Sequence, residues 1–83
     1  MTADQGAVRP LHEIAKEIGD SWQPSNYAAR PYLNAMRELD KITDQYGADT
    51  ARSIVSYFLS NAQSWRGETA RRVKAELRAM LGR

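Results

Sequence analysis

Enzymatic chemistry needs convergent side chains, and this chain offers few. His12 is the only histidine, and it lies beside Glu13 on what reads as the polar face of a helix. A general base needs a partner within hydrogen-bond reach, and zinc needs three or four ligands. A lone exposed histidine therefore reads as a surface residue. The chain has no cysteine, which removes disulfides, thiolate metal sites and cysteine nucleophiles together. No serine or threonine has a readable base and orienting group. Asp40, Asp44 and Asp49 invite a calcium reading. They lack the glycine and glutamate spacing of an EF-hand loop, so Asp40 and Asp44 read as one turn apart on a solvent face and Asp49 as a helix cap. Gly47 and Gly67 are isolated and read as helix punctuation, not a phosphate-binding loop. The expectation is a protein that is not an enzyme and holds no metal or other cofactor.

Charge is more informative. The formal net charge is +2 over 83 residues, but it is unevenly placed. Residues 1–50 carry five basic and eight acidic side chains, whereas residues 51–83 carry seven basic and two acidic. The C-terminal excess sits at Arg66, Arg71, Arg72, Lys74, Arg78 and Arg83. At 100° per residue Arg71, Lys74 and Arg78 share one flank of a helix, and no acid joins them. Arg72 and Glu76 are i,i+4 neighbours elsewhere on that helix and can pair locally. A basic stripe of this kind suits phosphates or an acidic protein surface. The bland alternatives are side chains that snorkel over the core edge into water, and two halves of one fold that attract each other. Trp65, next to Arg66, is open to two readings. One is an exposed interface anchor; the other, which we favour, is a plug closing the end of a small bundle. The candidate binding residues are thus Arg66, Arg71, Lys74, Arg78 and Trp65.

Helices are what must position these groups. Pro10 reads as the first position of a helix, with Leu11, Ile14, Ala15, Ile18 and Trp22 forming one apolar stripe. Gln23 to Asn26 reads as a loop, with Ser25 or Asn26 capping a short turn through Ala29. A second helix is predicted over 31–46, with Tyr32, Ala35, Met36, Leu39, Ile42 and Tyr46 inward and Gly47 as its C-cap. A third is predicted over 49–62, capped by Asp49, with Ala51, Ile54, Val55, Phe58, Leu59 and Ala62 at the centre of the core. A fourth, over 65–81, turns Ala70, Val73, Leu77, Met80 and Leu81 inward. No segment alternates with period two, so strands are not indicated. The expected fold is all-α, a compact bundle of three to four short helices over residues 10–83, with residues 1–9 as a flexible tail. The third and fourth helices are a poor helix-turn-helix, because the connection from Asn61 to Gly67 is long and Ala75 and Ala79 stand where base-reading side chains belong.

The runs Tyr32–Met36, Leu39–Asp40, Tyr46–Gly47, Ser53–Ala62 and Trp65–Leu77 together resemble small proteins encoded in bacteriophages and prophages of Gram-positive bacteria. The resemblance covers roughly residues 11–81. It implies a genomic setting and carries no activity or site residue with it. Nine arginines against three lysines, with twelve alanines, look like a GC-rich host such as an actinobacterium. No apolar run approaches the roughly 18 residues that span a bilayer, and the first nine residues lack the basic and apolar regions of a signal peptide. A cytoplasmic protein without membrane contact is expected. The expected function is binding of a host or phage protein, as an interaction or inhibitor module. The alternative is a nucleic-acid-binding accessory protein using the basic fourth helix. Either reading is compatible with a homo-oligomer.

Overall fold

The computed structural model describes residues 8–23 and 26–82. The expected tail falls outside these residues except for Val8 and Arg9, as do Ser25 and Arg83. The chain is mostly helical, a small bundle with one very short hairpin. In order, the elements are α1 (Leu11–Ser21), a 3₁₀ turn (Tyr27–Ala29), α2 (Arg30–Met36), β1 (Gln45–Tyr46), β2 (Asp49–Thr50), α3 (Ala51–Ser60) and α4 (Glu68–Met80). α1 packs on α2 and on α4, and α2 packs on α3. α1 therefore sits between α2 and α4.

The apolar stripes meet in one cluster. Leu11, Ile14, Ala15 and Ile18 from α1 join Leu33, Ala35 and Met36 from α2, then Ala51, Ile54, Val55 and Phe58 from α3, and Ala70, Val73 and Leu77 from α4. Each large side chain so buried stabilises the fold by about 1.5–3 kcal/mol relative to exposure. Phe58 is fully buried, while Leu59 is only partly covered at the edge of the cluster. Ala29 and Leu33 are core residues that the helical stripes did not include.

The second helix is the main departure from the sequence reading. It ends at Met36, not at Tyr46. The next residues turn away because their backbone groups are used elsewhere. The carbonyls of Asp40 and Leu39 accept the amides of Leu11 and His12, both at 2.9 Å. Those amides are among the unpaired donors at the N-terminus of α1, and Pro10, at the N-cap position, supplies no side-chain acceptor. The Asp44 carboxylate accepts the amides of Lys41 and Asp40 at 2.9 and 3.1 Å, closing a turn instead of standing on a helix face. Those two bonds hold the Asp44 carboxyl below its usual range, that from Lys41 first. Leu39 and Ile42 still reach the core, but Tyr46 is in β1 and exposed.

Two strands therefore occur where none were expected. Gln45 pairs with Thr50 and Tyr46 with Asp49, antiparallel. Gly47 is the first residue of the two-residue turn between them, at φ +61°, which suits a hairpin turn with glycine first; it is not a helix C-cap. The cap of α3 is Thr50, not Asp49: its hydroxyl oxygen accepts the Ser53 amide at 3.1 Å. Of the two caps offered for the short turn, Asn26 serves, its side chain accepting the Ala28 amide at 2.9 Å. α4 begins at Glu68, after Gly67 at φ +113° and ψ −179°, a region essentially reserved for glycine.

Candidate functional site

α4 carries the candidate site because its two flanks meet different surroundings. Ala70, Val73 and Leu77 mark the buried line. The flank bearing Arg72 and Glu76 faces α1 and the segment before it. Arg9 donates from Nε and Nη2 to the Glu76 carboxylate at 3.0 and 2.7 Å, and from Nη2 to Glu17 at 2.9 Å. Arg72 donates to the other Glu17 oxygen. The four charges thus form an alternating network between α1 and α4. This corrects the expected Arg72–Glu76 pair along the helix. A planar guanidinium that meets a carboxylate with two parallel bonds replaces a solvent-screened i,i+4 pair. It also removes Arg9 from the expected flexible tail. Hydrogen bonds to Arg72 and then Arg9 hold the Glu17 carboxyl below its ordinary value, against the opposing effect of burial. The Arg9 guanidinium, bonded chiefly to Glu76, is held still more firmly protonated than usual.

The opposite flank has no such compensation. Arg66, Arg71 and Arg78 are exposed and make no ion pair among the described residues. Together with Lys74 they line an open concavity of about 340 Å³, whose remaining walls are Gln63, Trp65, Gly67 and Ala70. No acidic residue borders it. Lys74 is half-buried, and its Nζ donates to the Trp65 carbonyl at 2.6 Å. The same ammonium lies 5.9 Å from the centre of the Trp65 ring, within cation–π range. Burial pushes the Lys74 pKa down, and the nearby charges of Arg78 and Arg66 push it further in the same direction. Three cations are therefore within electrostatic reach of one another with no anion among them. The sequence reading grouped Lys74 with the arginines as a free cation; its ammonium instead ties α4 to the turn that precedes it.

Trp65 is the plug and not an exposed anchor, which corrects its place among the binding residues. It is 3% exposed. Its ring stacks on Trp22 at 5.7 Å and 14° and meets Phe58 edge-on at 6.5 Å. Trp22 in turn meets Phe58 edge-on at 6.4 Å. A side chain so enclosed gives its binding surface to the protein's own core. What Trp65 contributes to the concavity is a rigid wall and the carbonyl that fixes Lys74.

The remaining sequence candidates do not converge. His12 is exposed and stands 3.9 Å from Asp40, beyond hydrogen-bond distance. Among the described residues, no three of His, Asp and Glu are placed to hold a metal ion. The connection between α3 and α4 runs over residues 61–67, longer than the three or four residues of a helix-turn-helix. Among the described residues, no helix is long and apolar enough to cross a membrane. The fold and this flank define a small, mostly helical protein with an uncompensated cationic surface on α4. No protein family, curated protein or solved structure matches the chain.

Proposed function

We propose that this is a non-catalytic interaction module that docks an acidic surface of a protein partner through Arg66, Arg71 and Arg78. In the phage setting suggested by the sequence resemblance, the partner is a host or phage protein and the meeting place is the bacterial cytoplasm. One observation carries the reading: α4 pairs its basic residue on the α1 side and leaves those on the other side unpaired. Arg72 meets Glu17, while Arg71 and Arg78 make no ion pair among the described residues and line a concavity that no acidic residue borders. Concentrated like charge costs self-repulsion, and a complementary surface relieves it while steering encounter.

A nucleic-acid partner is the second reading, favoured by the length of the stripe. Arg71 and Arg78 are about 10.5 Å apart along the helix axis at 1.5 Å per residue, enough to follow a phosphate backbone. Exposed Ala75 and Ala79 on the outer face of α4 offer no hydrogen bonds to bases, so such binding would be independent of sequence.

The test is the triple substitution Arg66→Gln, Arg71→Gln, Arg78→Gln, compared with the wild type in affinity capture from host lysate with and without nuclease. The proposal requires a protein that survives nuclease, is lost with the triple variant, and associates more slowly as salt rises. Capture that disappears with nuclease would move the assignment to nucleic acid. An unchanged partner set, with the helical circular dichroism intact, would reduce the stripe to a solvated face.

A further inference from the structure

We infer that the concavity walled by Arg66, Arg71, Lys74 and Arg78 seats one phosphomonoester dianion, presented by a phosphorylated side chain of the protein partner. The inference rests on the docking reading above and names the group that fills its centre.

Charge and shape lead to this group. Four cationic residues line one open space, and no acidic residue borders it. A single carboxylate neutralises one charge there and offers two oxygens. A phosphomonoester brings about 1.5–2 negative charges and three acceptor oxygens, which matches several arginine donors at once. The concavity is also larger than one tetrahedral group, so the chain that carries the phosphate has room to leave through the open side. A nucleic-acid backbone fits less well, since it offers singly charged diesters in series, whereas these four cationic residues are gathered around one concavity beside the Trp65–Gly67 turn.

The site is also built to keep its shape. Lys74 is fixed at both ends, by its place on α4 and by its bond to the Trp65 carbonyl. Trp65 is locked between Trp22 and Phe58. The arginines are long and exposed, free to close on a group that enters. The fixed lysine supplies charge beneath them while its hydrogen bond to the carbonyl persists. The uncompensated repulsion between Lys74 and its two arginine neighbours falls when an anion arrives, so the lysine is then held more firmly protonated.

Three short peptides that differ at one position, phosphoserine, aspartate or serine, provide the probes. Each is titrated into the full chain at constant ionic strength, with arginine Nε–H and Trp65 indole N–H resonances followed by NMR. The expected result is saturable movement of the Arg66, Arg71 and Arg78 signals with phosphoserine, at least about tenfold tighter than with aspartate, a difference of about 1.4 kcal/mol. Arg66→Gln and Arg78→Gln should each weaken phosphoserine binding about fivefold or more. Arg72→Gln, on the paired flank, should leave it unchanged. Equal affinity for the phosphoserine and aspartate peptides overturns the inference, as does a phosphoserine response that never saturates or ignores Arg66→Gln and Arg78→Gln.

A poly-aspartate peptide separates this failure from that of the docking reading. If it binds through the three arginines while phosphoserine has no advantage, the dianion inference falls and the docking reading stands. If phosphoserine binds as expected but partner capture ignores the triple substitution, the docking reading falls. A duplex DNA that binds more tightly than the phosphoserine peptide, with affinity falling steeply in salt, overturns the choice of a single dianion.

Discussion

Truncating Phe58 to alanine tests the core on which the cationic flank is built. The ring is fully buried and meets both Trp22 and Trp65 edge-on, at 6.4 and 6.5 Å. Removing a buried aromatic side chain costs about 3–5 kcal/mol when the cavity cannot collapse. Each lost edge-to-face pair is worth about 0.5–1.5 kcal/mol beyond area, and the two tryptophans stacked on each other are poorly able to move into the space. The upper half of the range is therefore expected, about 4–5 kcal/mol. At about 0.05–0.15 kcal/mol per residue, a chain of 83 residues has a total stability of about 4–12 kcal/mol. Phe58→Ala should thus remove a third or more of it and lower the melting temperature by at least about 16 °C, at roughly 4 °C per kcal/mol. The assay is urea unfolding followed by circular dichroism and tryptophan emission, with the emission shifting to the red as water reaches Trp65. Should the alanine variant be unfolded from the start, Phe58→Leu keeps most of the apolar contact and should fold with less than half the loss. A loss below about 1.5 kcal/mol for Phe58→Ala, with an unchanged urea slope, would show that Phe58 does not support the two tryptophans.

Four further outcomes follow from the same geometry. Thr50→Ala removes the cap of α3 and should cost about 1 kcal/mol, while Asp49→Ala should stay within about 0.5 kcal/mol; equal losses in thermal melts would contradict the cap assignment. Gly67→Ala forces a Cβ onto a backbone at φ +113° and should cost about 1–3 kcal/mol, although the space around it is open; a neutral melt would mean the turn has another conformation. The Glu17 carboxyl is held below its ordinary value of 4.5 by Arg72 and Arg9. Its contribution to stability is present above that ordinary value and is lost as pH falls through the lowered folded value. The double substitution Arg9→Gln, Arg72→Gln should therefore flatten the dependence of melting temperature on pH between about pH 5 and 3; an unchanged slope would place the acid sensitivity elsewhere. Asp44→Ala should release the amides of Lys41 and Asp40 and speed their hydrogen exchange, while leaving those of α4 as they are; unaltered protection would show that the turn is held by other contacts.

Three of the four helices and most of the core were legible because amphipathic spacing is a local property. The stripes Leu11–Ile14–Ile18, Ile54–Val55–Phe58 and Val73–Leu77 are buried as their periodicity implies. So was the cationic flank at Arg71, Lys74 and Arg78, since 3.6 residues per turn place those side chains together whatever α4 packs on. The pattern over residues 31–46 was misleading because Leu39 and Ile42 reach the core from a turn at positions a helix would also have buried. What ends α2 is not in its own sequence. The carbonyls of Leu39 and Asp40 are needed at the start of α1, distant in the chain, and the Asp44 carboxylate is placed to hold the turn that delivers them. The partners of charged side chains were equally hidden. Arg72 sits one turn from Glu76, yet Glu17 takes Arg72 and Arg9 takes Glu76, because α1 and the residue before its proline are brought against one flank of α4. That packing decides which arginines are spent on the fold and which remain for a partner. Sequence sets the row of charge along a helix, and tertiary structure sets which part of the row is neutralised, because ion pairing depends on distances that only the folded chain brings within reach.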